Sequence, residues 1–390
     1  MVTISIIHRL PLVACIAIYP LLAAGESGVD SDRVWLSSLG ATLGTLSPGS
    51  AAKTGPAFEG VKFERAKANP ESGETYTNTA LEWLSRNQEA DGHWDSVKFG
   101  AEVNADIEQT ALAMLAFLAR GHTEKVGKFK DNVRRAGEWL CKNQRADGAI
   151  CRQEGEFDGI THAIAALAIT ELAAAMTKKA ERRDQAQKAM DYSTNIHQTN
   201  KDGKKWGFGR KPNSQKPDLF TTTFFASQIV SAKYAGLRVP PETVEGMLQF
   251  VNSLKDEPKK TFRFETGGTS SARANLMGCL CQQLLGYKNE ETEPTARMVL
   301  EYFTSGSEIN ADALMLYWGA SVCNKHGGGW MAAYDGSGIW LGFRKTINPK
   351  IFGARRKDGS AEGSCNPNGT WAGAGRVLST ALNELSIPLR

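Results

Sequence analysis

The stretch that decides the fold is Gln88-Glu89-Ala90-Asp91-Gly92-His93-Trp94, because its core pattern, Gln-x-x-Asp-Gly, returns further along the chain. A second copy, Gln144-Arg145-Ala146-Asp147-Gly148, lies 56 residues later. Looser copies are found at Asp202-Gly203 and Asp358-Gly359. A repeat of this length is too long for one helix or one strand, so it indicates a helical hairpin as the repeating unit.

Each repeat contains an amphipathic helix followed by a helix that is apolar nearly all round. In the first repeat, residues 75–87 place apolar side chains on one face, and residues 106–118 are apolar on every face after their first turn. The second kind of helix is therefore predicted to be buried, as an inner helix, and the first kind to lie outside it. Inner helices are predicted to begin near residues 106, 159, 218, 269, 312 and 376.

Six inner and about six outer helices predict an all-α fold, an α6/α6 toroid in which the hairpins close into a ring. An open solenoid is the alternative. Solenoids carry polar capping repeats at their ends, and neither end of this chain has that composition, so the closed ring is favoured. In a closed ring the inner helices run in the same direction, so their N-termini are expected to meet at one mouth.

The N-terminal region has the features of an export signal. Residues 1–24 contain a short apolar segment that ends in small residues, which predicts a cleaved signal peptide; an uncleaved anchor over residues 4–24 is the alternative. Residues 25–71 are rich in Gly, Ser, Ala and Pro and are predicted to be a disordered linker. The toroid is assigned to residues 72–390, and the protein is expected to be secreted or periplasmic, with possible proximity to a membrane.

Composition excludes one class of partner. The formal net charge of the 390 residues is only +4, and no basic stripe with interleaved aromatic residues is present, so nucleic acid is not an expected partner. Six cysteines follow the predicted signal segment. In an oxidising compartment Cys141–Cys151 and Cys323–Cys365 are the candidate disulfides, and buried free thiols are the alternative.

The full unit Gln88-Glu89-Ala90-Asp91-Gly92-His93-Trp94 resembles the QW motif of the prenyltransferase and squalene-cyclase repeat family. The likeness extends over residues 72–390, and its last part resembles a broad bacterial branch of that family. The resemblance implies a terpenoid-cyclase-like or protein-prenyltransferase-like α/α toroid, with Gln88, Asp91, Gly92, Trp94, Gln144, Asp147 and Gly148 as structural residues of the motif.

The reactive groups of the family are missing from this sequence. The Asp-x-Asp-Asp acid of class II cyclases, the Asp-x-Cys zinc ligands of protein prenyltransferases and the Gly-Cys-Gly-Glu-Gln thioester motif do not occur. No metal and no cofactor is therefore predicted. Fold-level likeness does not by itself assign a function.

Polar side chains in the first turns of the inner helices are the candidate site residues. Helix capping is the alternative role for the Asp residues, because Asp106 with Gln109 has a capping-box spacing, and a structural role is the alternative for His162. A charge inside a ring needs a partner, so the two Arg residues are candidates to bind an anionic ligand. The candidate catalytic residues are Asp106, Asp218, Asp312 and His162, and the candidate ligand-binding residues are Arg273, Arg376, Phe224, Tyr317 and Trp318.

Three functions are compatible with these residues. The first is an exported, non-catalytic toroid that binds an apolar or anionic ligand, or a protein, at its mouth. The second is an isoprenoid-type cyclase or transferase with an inner-helix Asp as acid, which predicts a deep apolar cavity and a raised carboxyl pKa at its rim. The third is an enzyme acting on polysaccharides, which needs two carboxylates across an open groove.

Overall fold

A computed structural model of the protein describes residues 74–152, 157–176, 180–199, 207–212, 216–305, 313–326, 338–367 and 373–387. The predicted signal segment and linker lie outside these residues, as do Asp202-Gly203 and Asp312. The described residues form α-helices with one small hairpin. No described helix has the length and apolarity that crossing a bilayer requires.

Six inner helices carry most of the buried side chains. Ala, Leu, Ile and Phe cover every face of these helices, because each helix is surrounded by others. They are α2 (Asp106–Ala119), α4 (Gly159–Ala175), α6 (Leu219–Tyr234), α8 (Ala272–Leu284), α10 (Ala313–Lys325) and α12 (Arg376–Ser386).

Six outer helices lie between the inner ones in the chain. They are amphipathic, as the alternation of apolar and polar residues predicts, and each packs on the inner layer. They are α1 (Glu74–Arg86), α3 (Lys130–Lys142), α5 (Ala180–Thr199), α7 (Pro241–Ser253), α9 (Asn289–Thr304) and α11 (Ile339–Gly353). A hairpin of β1 (Lys255–Asp256) and β2 (Thr261–Phe262) precedes α8, and a 3₁₀ turn covers Gly359–Ala361.

The inner helices close into a ring. Helix α2 packs on α4, α4 on α6, α6 on α8, α8 on α10, α10 on α12, and α12 packs back on α2. The N-terminal ends of neighbouring helices meet, since Gln109 Nε2 on α2 donates to Ala374 O beside the start of α12. The C-terminal ends also meet, as at Arg120 and Glu384. The predicted closed toroid with parallel inner helices is therefore confirmed, and the open solenoid is excluded.

Aromatic side chains fill part of the ring interior. The ring centroids of Phe220 and Phe224 on α6 lie 6.0 and 5.8 Å from that of Trp318 on α10. Helices α6 and α10 are separated by α8 in the ring, so these contacts are made inside it. Phe224 and Trp318 are at most 1% exposed. At this level Phe220, Phe224 and Trp318 therefore pack against one another across the ring.

The described cysteines are free thiols. Neither Cys141–Cys151 nor Cys323–Cys365 is bonded in this structure. Cys141 instead donates from Sγ to Gln185 Oε1 at 2.9 Å. Cys323 and Cys365 are fully buried. Burial raises the pKa of Cys141 and of Cys365 to about 11, so both are protonated at neutral pH.

Candidate functional site at the N-terminal mouth

We call the first turns of the six inner helices, with the turns that lead into them, the N-terminal mouth. Two of these turns are built by the Gln-x-x-Asp-Gly motif. Gly92 has φ +108° and Gly148 has φ +96°, a conformation that favours glycine. A Cβ at Gly92 would lie 2.4 Å from Arg135 O, and one at Gly148 would lie 2.1 Å from Lys188 O. Both glycines thus allow close approach to the next outer helix.

The glutamine and tryptophan of the motif join neighbouring hairpins. Gln88 Nε2 donates to Gly92 O within the turn and to Asn132 O on α3, at 2.8 and 3.0 Å. Gln144 Nε2 makes the corresponding bonds to Gly148 O and to Gln185 O on α5. Trp94 is fully buried and donates from Nε1 to Leu84 O. The structural role predicted for these residues is consistent with these bonds.

The turn at the end of the chain departs from the spacing of the motif. The sequence pattern selects Asp358-Gly359, but Gly363 makes the close approach, because a Cβ added there would lie 2.2 Å from Thr79 O on α1. A Cβ added at Gly359 would have no atom within 4 Å. The last turn is longer than the others, so spacing alone selects the wrong glycine.

The turns are tied to the inner helices by a recurring hydrogen bond, which we call the inner-helix staple. In each case a backbone N–H near the end of the turn donates to a side chain in the second turn of the following inner helix. A buried N–H needs such an acceptor. The five described staples are Trp94 to Thr110 (3.1 Å), Ile150 to His162 (3.1 Å), Phe208 to Thr222 (2.9 Å), Phe262 to Asn275 (2.6 Å) and Cys365 to Thr380 (2.9 Å).

His162 is therefore a staple residue, at a position where other repeats use Thr or Asn. Its Nδ1 accepts from Ile150 N–H, so the ring proton is on Nε2, which lies 2.9 Å from Ser193 Oγ. Complete burial lowers the pKa of His162 to about 3. A histidine that is neutral and has both nitrogens bonded inside the protein has no free nitrogen for acid–base catalysis.

Asp106 occupies a different place from the one that its spacing suggests. The N-cap residue of α2 is Ala105, and none of the described side chains caps this helix. Asp106 Oδ1 instead accepts from the N–H and the Oγ of Ser96, at 2.8 and 2.7 Å. Gln109, the expected partner in a capping box, bonds to Ala374 O. Asp106 thus fixes the loop before α2.

Asp158 and Asp218 are N-caps, in agreement with the capping alternative. Asp158 Oδ1 accepts from Ile160 N–H and Thr161 N–H, and its Oδ2 accepts from Arg210. Asp218 Oδ1 accepts from the N–H of Thr221 at 2.6 Å, and Asp218 Oδ2 accepts from the hydroxyl Oγ1 of Thr221 at 2.9 Å. Burial raises the pKa of Asp218 to about 6 in spite of these bonds, which lower it. Both oxygens of Asp218 are already bonded.

A charged pair that the candidate residues did not include lies at the mouth. Glu108 Oε1 accepts from Arg152 Nη2 and from Thr161 Oγ1, both at 2.6 Å. Glu108 is fully buried, and its Oε2 has no hydrogen-bond partner in the part of the chain that the structure describes; the same is true of Arg152 Nε. Arg152 retains its charge because Glu108, Asp158 and Asp106 raise its pKa against the effect of burial.

A signal for this pair exists in the sequence. In α2 the staple residue is Thr110, and two residues along a helix correspond to about 200°, so Glu108 lies on the opposite side, toward the ring axis. A carboxylate at an axis-facing position of an apolar helix requires a cation or a ligand. The turn that supplies Arg152 is in the next repeat, and sequence reasoning had no means of pairing the two.

The predicted ligand-binding residues do not form one group. Arg273, two residues before the staple residue Asn275, lies on the axis side of α8 and is half-buried. Arg376 bonds to Ser364 Oγ and to Asn366 Oδ1 at the rim. Phe224, Tyr317 and Trp318 are part of the core, at most 1% exposed. The side chains at the mouth and those in the core thus belong to different layers.

Within the described residues, no group of three His, Cys, Asp or Glu side chains has the arrangement of a metal site. Asp312, the remaining candidate acid, lies outside those residues.

Comparison with known proteins assigns the family. The model of the prenyltransferase alpha-alpha toroid domain matches two overlapping stretches, residues 72–195 and 157–307, which together cover more than half of the chain. The chain belongs to this family. Among curated proteins, none matches the sequence.

Three solved structures with similar folds represent two kinds of enzyme. A family 76 glycoside hydrolase from Bacteroides thetaiotaomicron has a TM-score of 0.55 at 12% identity, covering 80% of this chain and 76% of that chain. An inactive variant of an α-1,6-mannanase from Salegentibacter, bound to α-1,6-mannotriose, has a TM-score of 0.53 at 10% identity, covering 80% and 96%. The type II terpene cyclase MstE from Scytonema, bound to its product merosterolic acid A, has a TM-score of 0.51 at 12% identity, covering 80% and 95%. These identities establish a shared fold only.

Proposed function

We propose that this toroid is a binding protein whose ligand site is the N-terminal mouth, and that it catalyses neither terpene cyclisation nor glycoside hydrolysis. Because of its N-terminal segment we also propose that it acts outside the cytoplasm. One observation carries the proposal: the charged groups of the mouth are held in place by one another, while the ring interior is packed at the level of Phe224 and Trp318. A cyclase needs an empty apolar cavity at that level.

The carboxylates of the mouth are unsuited to acid–base catalysis. Asp106, Asp158 and Asp218 each accept two or more hydrogen bonds that fix a loop or a helix start. The Salegentibacter mannanase was inactivated by replacing two adjacent aspartates with asparagine. The present sequence has no two consecutive aspartates. These facts support binding over hydrolysis.

A direct test is incubation with the substrates of the two kinds of similar enzyme. We expect geranylgeranyl dihydroxybenzoate, the substrate bound in another MstE structure, and α-1,6-mannotriose to be recovered unchanged, as measured by liquid chromatography with mass detection. Formation of a product from either compound would refute the proposal.

A second test locates the ligand. Native mass spectrometry of protein from its own host should detect a bound molecule, which is lost from an Arg210→Gln variant because Arg210 bonds to Asp158 at the mouth. Arg238→Gln is the matched control, since its ion pair with Asp191 is exposed and distant from the mouth. A bound molecule that survives the Arg210 substitution would contradict a site at the mouth.

One observation favours a second candidate, an acid catalyst acting on an apolar substrate. Glu171 on α4 is bonded only to Ser231 Oγ, at 2.6 Å, among the described residues. Burial raises its pKa to about 8, so it is a protonated acid at neutral pH. Turnover of the geranylgeranyl substrate that disappears in a Glu171→Gln variant would favour this candidate over binding.

A further inference from the structure

We propose that the N-terminal mouth binds a saccharide, and that the Glu108–Arg152 pair holds one of its hydroxyl groups. This inference depends on the proposed function, since it names the ligand class of the same site. It begins from two buried polar atoms, Glu108 Oε2 and Arg152 Nε, that have no hydrogen-bond partner within the described ranges.

The two atoms have complementary requirements. A carboxylate oxygen accepts a hydrogen bond, whereas a guanidinium Nε–H donates one. Because both belong to one ion pair, joined at 2.6 Å between Arg152 Nη2 and Glu108 Oε1, they lie close together. A buried polar atom without a partner costs about 1–3 kcal/mol. A group that donates to one atom and accepts from the other removes both costs.

A hydroxyl group is the simplest group that does both, since it has one donor and two acceptor lone pairs. An ammonium group would satisfy Glu108 Oε2 but would add a second positive charge beside Arg152. A carboxylate or phosphate would satisfy Arg152 but would place a negative charge beside Glu108. The ion pair therefore selects a neutral ligand over a charged one.

Apolar side chains occupy the positions on other inner helices that correspond to Glu108 on α2. Ile160, Phe220 and Leu378 lie two residues before the staple residues of α4, α6 and α12, at positions equivalent to Glu108, and so lie on the axis side. Phe264, half-buried, lies 6.3 Å from Phe220 between ring centroids. A few fixed polar groups beside apolar and aromatic walls are the usual composition of a specific small-molecule site. The apolar face of a pyranose packs on such walls while its hydroxyls reach the polar pair.

The test is calorimetric titration of the full protein with α-1,6-mannotriose, maltotriose, cellotriose and chitotriose at millimolar concentrations. We expect at least one to bind. Glu108→Gln should weaken that affinity about 10- to 100-fold, because a hydrogen bond to a charged group contributes about 1.5–3 kcal/mol. Glu124→Gln is the matched control: Glu124 forms another buried pair, 2.7 Å from Arg182, at the opposite end of the ring. It should leave affinity unchanged.

Phe264→Ala provides a second variant if Glu108→Gln does not fold, and it should also weaken binding. The inference is overturned if no trisaccharide binds, in which case water fills the mouth, or if binding is equal in wild type and both mouth variants. A non-saccharide ligand that is lost on Arg210→Gln would overturn the ligand class and leave the proposed function intact. Cleavage of a bound trisaccharide would overturn the proposed function instead.

Discussion

The two ends of the ring are built in different ways. At the N-terminal mouth, the turn glycine and the inner-helix staple are backbone devices that recur from repeat to repeat, as at Gly92 and Gly148. At the C-terminal end, single side chains make contacts that do not recur among the described repeats. Glu384 on α12 accepts from Arg120 at 2.6 Å and from Arg355 at 2.5 Å. Within the described part of the chain, Glu171 is bonded only to the hydroxyl of Ser231.

The difference shows how a repeat protein closes. The staples join consecutive segments of the chain, and each costs little loop entropy because its partners are near in sequence. Joining α12 to α2 brings together segments from opposite ends of the toroid. There the buried carboxylate of Glu384 bonds both to Arg120, after α2, and to Arg355, after α11, and Arg355 also reaches Thr79 on α1. Charge pairing at the seam takes the place of chain continuity.

Glu384→Ala is expected to have the largest effect. Removing it leaves two buried guanidinium groups unpaired, so the free energy of unfolding should fall by about 3–5 kcal/mol. Urea denaturation, monitored by circular dichroism, measures this free energy of unfolding. Glu138→Ala is the control, because Glu138 pairs with Arg134 on the exposed face of α3 and should cost less than about 1 kcal/mol. Equal losses would mean that the seam ion pairs do not hold the ring closed.

Gly92→Ala tests the turns at the mouth. Its positive φ and the carbonyl of Arg135 leave no space for a Cβ, so we expect a loss of at least about 2 kcal/mol. Gly359 also has a positive φ, but no described atom lies within 4 Å of a Cβ added there. Gly359→Ala should therefore cost only about 1 kcal/mol. Thermal unfolding of the two variants separates close approach from backbone conformation. A larger loss at Gly359 would show that Asp358-Gly359, not Gly363, forms the structural turn.

His162 permits a pH test of the staples. The pKa is about 3 in the folded protein and 6.5 ordinarily, so the unfolded chain takes up a proton first. The contribution of neutral His162 to the free energy of unfolding is therefore fully present above pH 6.5 and is lost as pH falls toward 3. His162→Asn, which uses the staple residue of α8, should keep the fold and remove this part of the acid sensitivity. His162→Ala should lose about 2–4 kcal/mol at pH 7. Unchanged acid sensitivity in His162→Asn would be evidence against a neutral staple.

Glu171→Gln is expected to have the smallest effect and the opposite sign. The folded pKa of about 8 exceeds the ordinary 4.5, so the folded protein holds a proton that the unfolded chain releases. This costs stability progressively as pH rises from 4.5 to 8. The variant should be more stable than wild type at pH 8, by on the order of 1 kcal/mol, because the residue as a whole keeps part of its surface exposed to water. The gain should vanish at pH 4.5. A loss at pH 8 would mean that Glu171 is ionised and paired.

The repeated parts of the molecule were the predictable parts. The spacing of Gln-x-x-Asp-Gly and the apolar helices predict the twelve described helices and the closed ring. The sequence makes His162 a candidate catalyst, because nothing within its own repeat shows that Thr110, Thr222 and Asn275 accept the equivalent staple hydrogen bond in other repeats. Asp106 has a capping pattern, but Ser96 in the preceding loop offers it two better donors. Tertiary context overrides local spacing at both residues.

By itself, the sequence determined the toroid, since the hydrophobic periodicity and the turn glycines are visible in the local sequence and repeat along the chain. Only the tertiary structure decided which charges meet. Arg152 with Glu108, Arg210 with Asp158, and Arg120 with Glu384 all join different repeats. An ion pair depends on distance and burial, which a linear sequence does not contain, and the mouth and the seam are both made of such pairs.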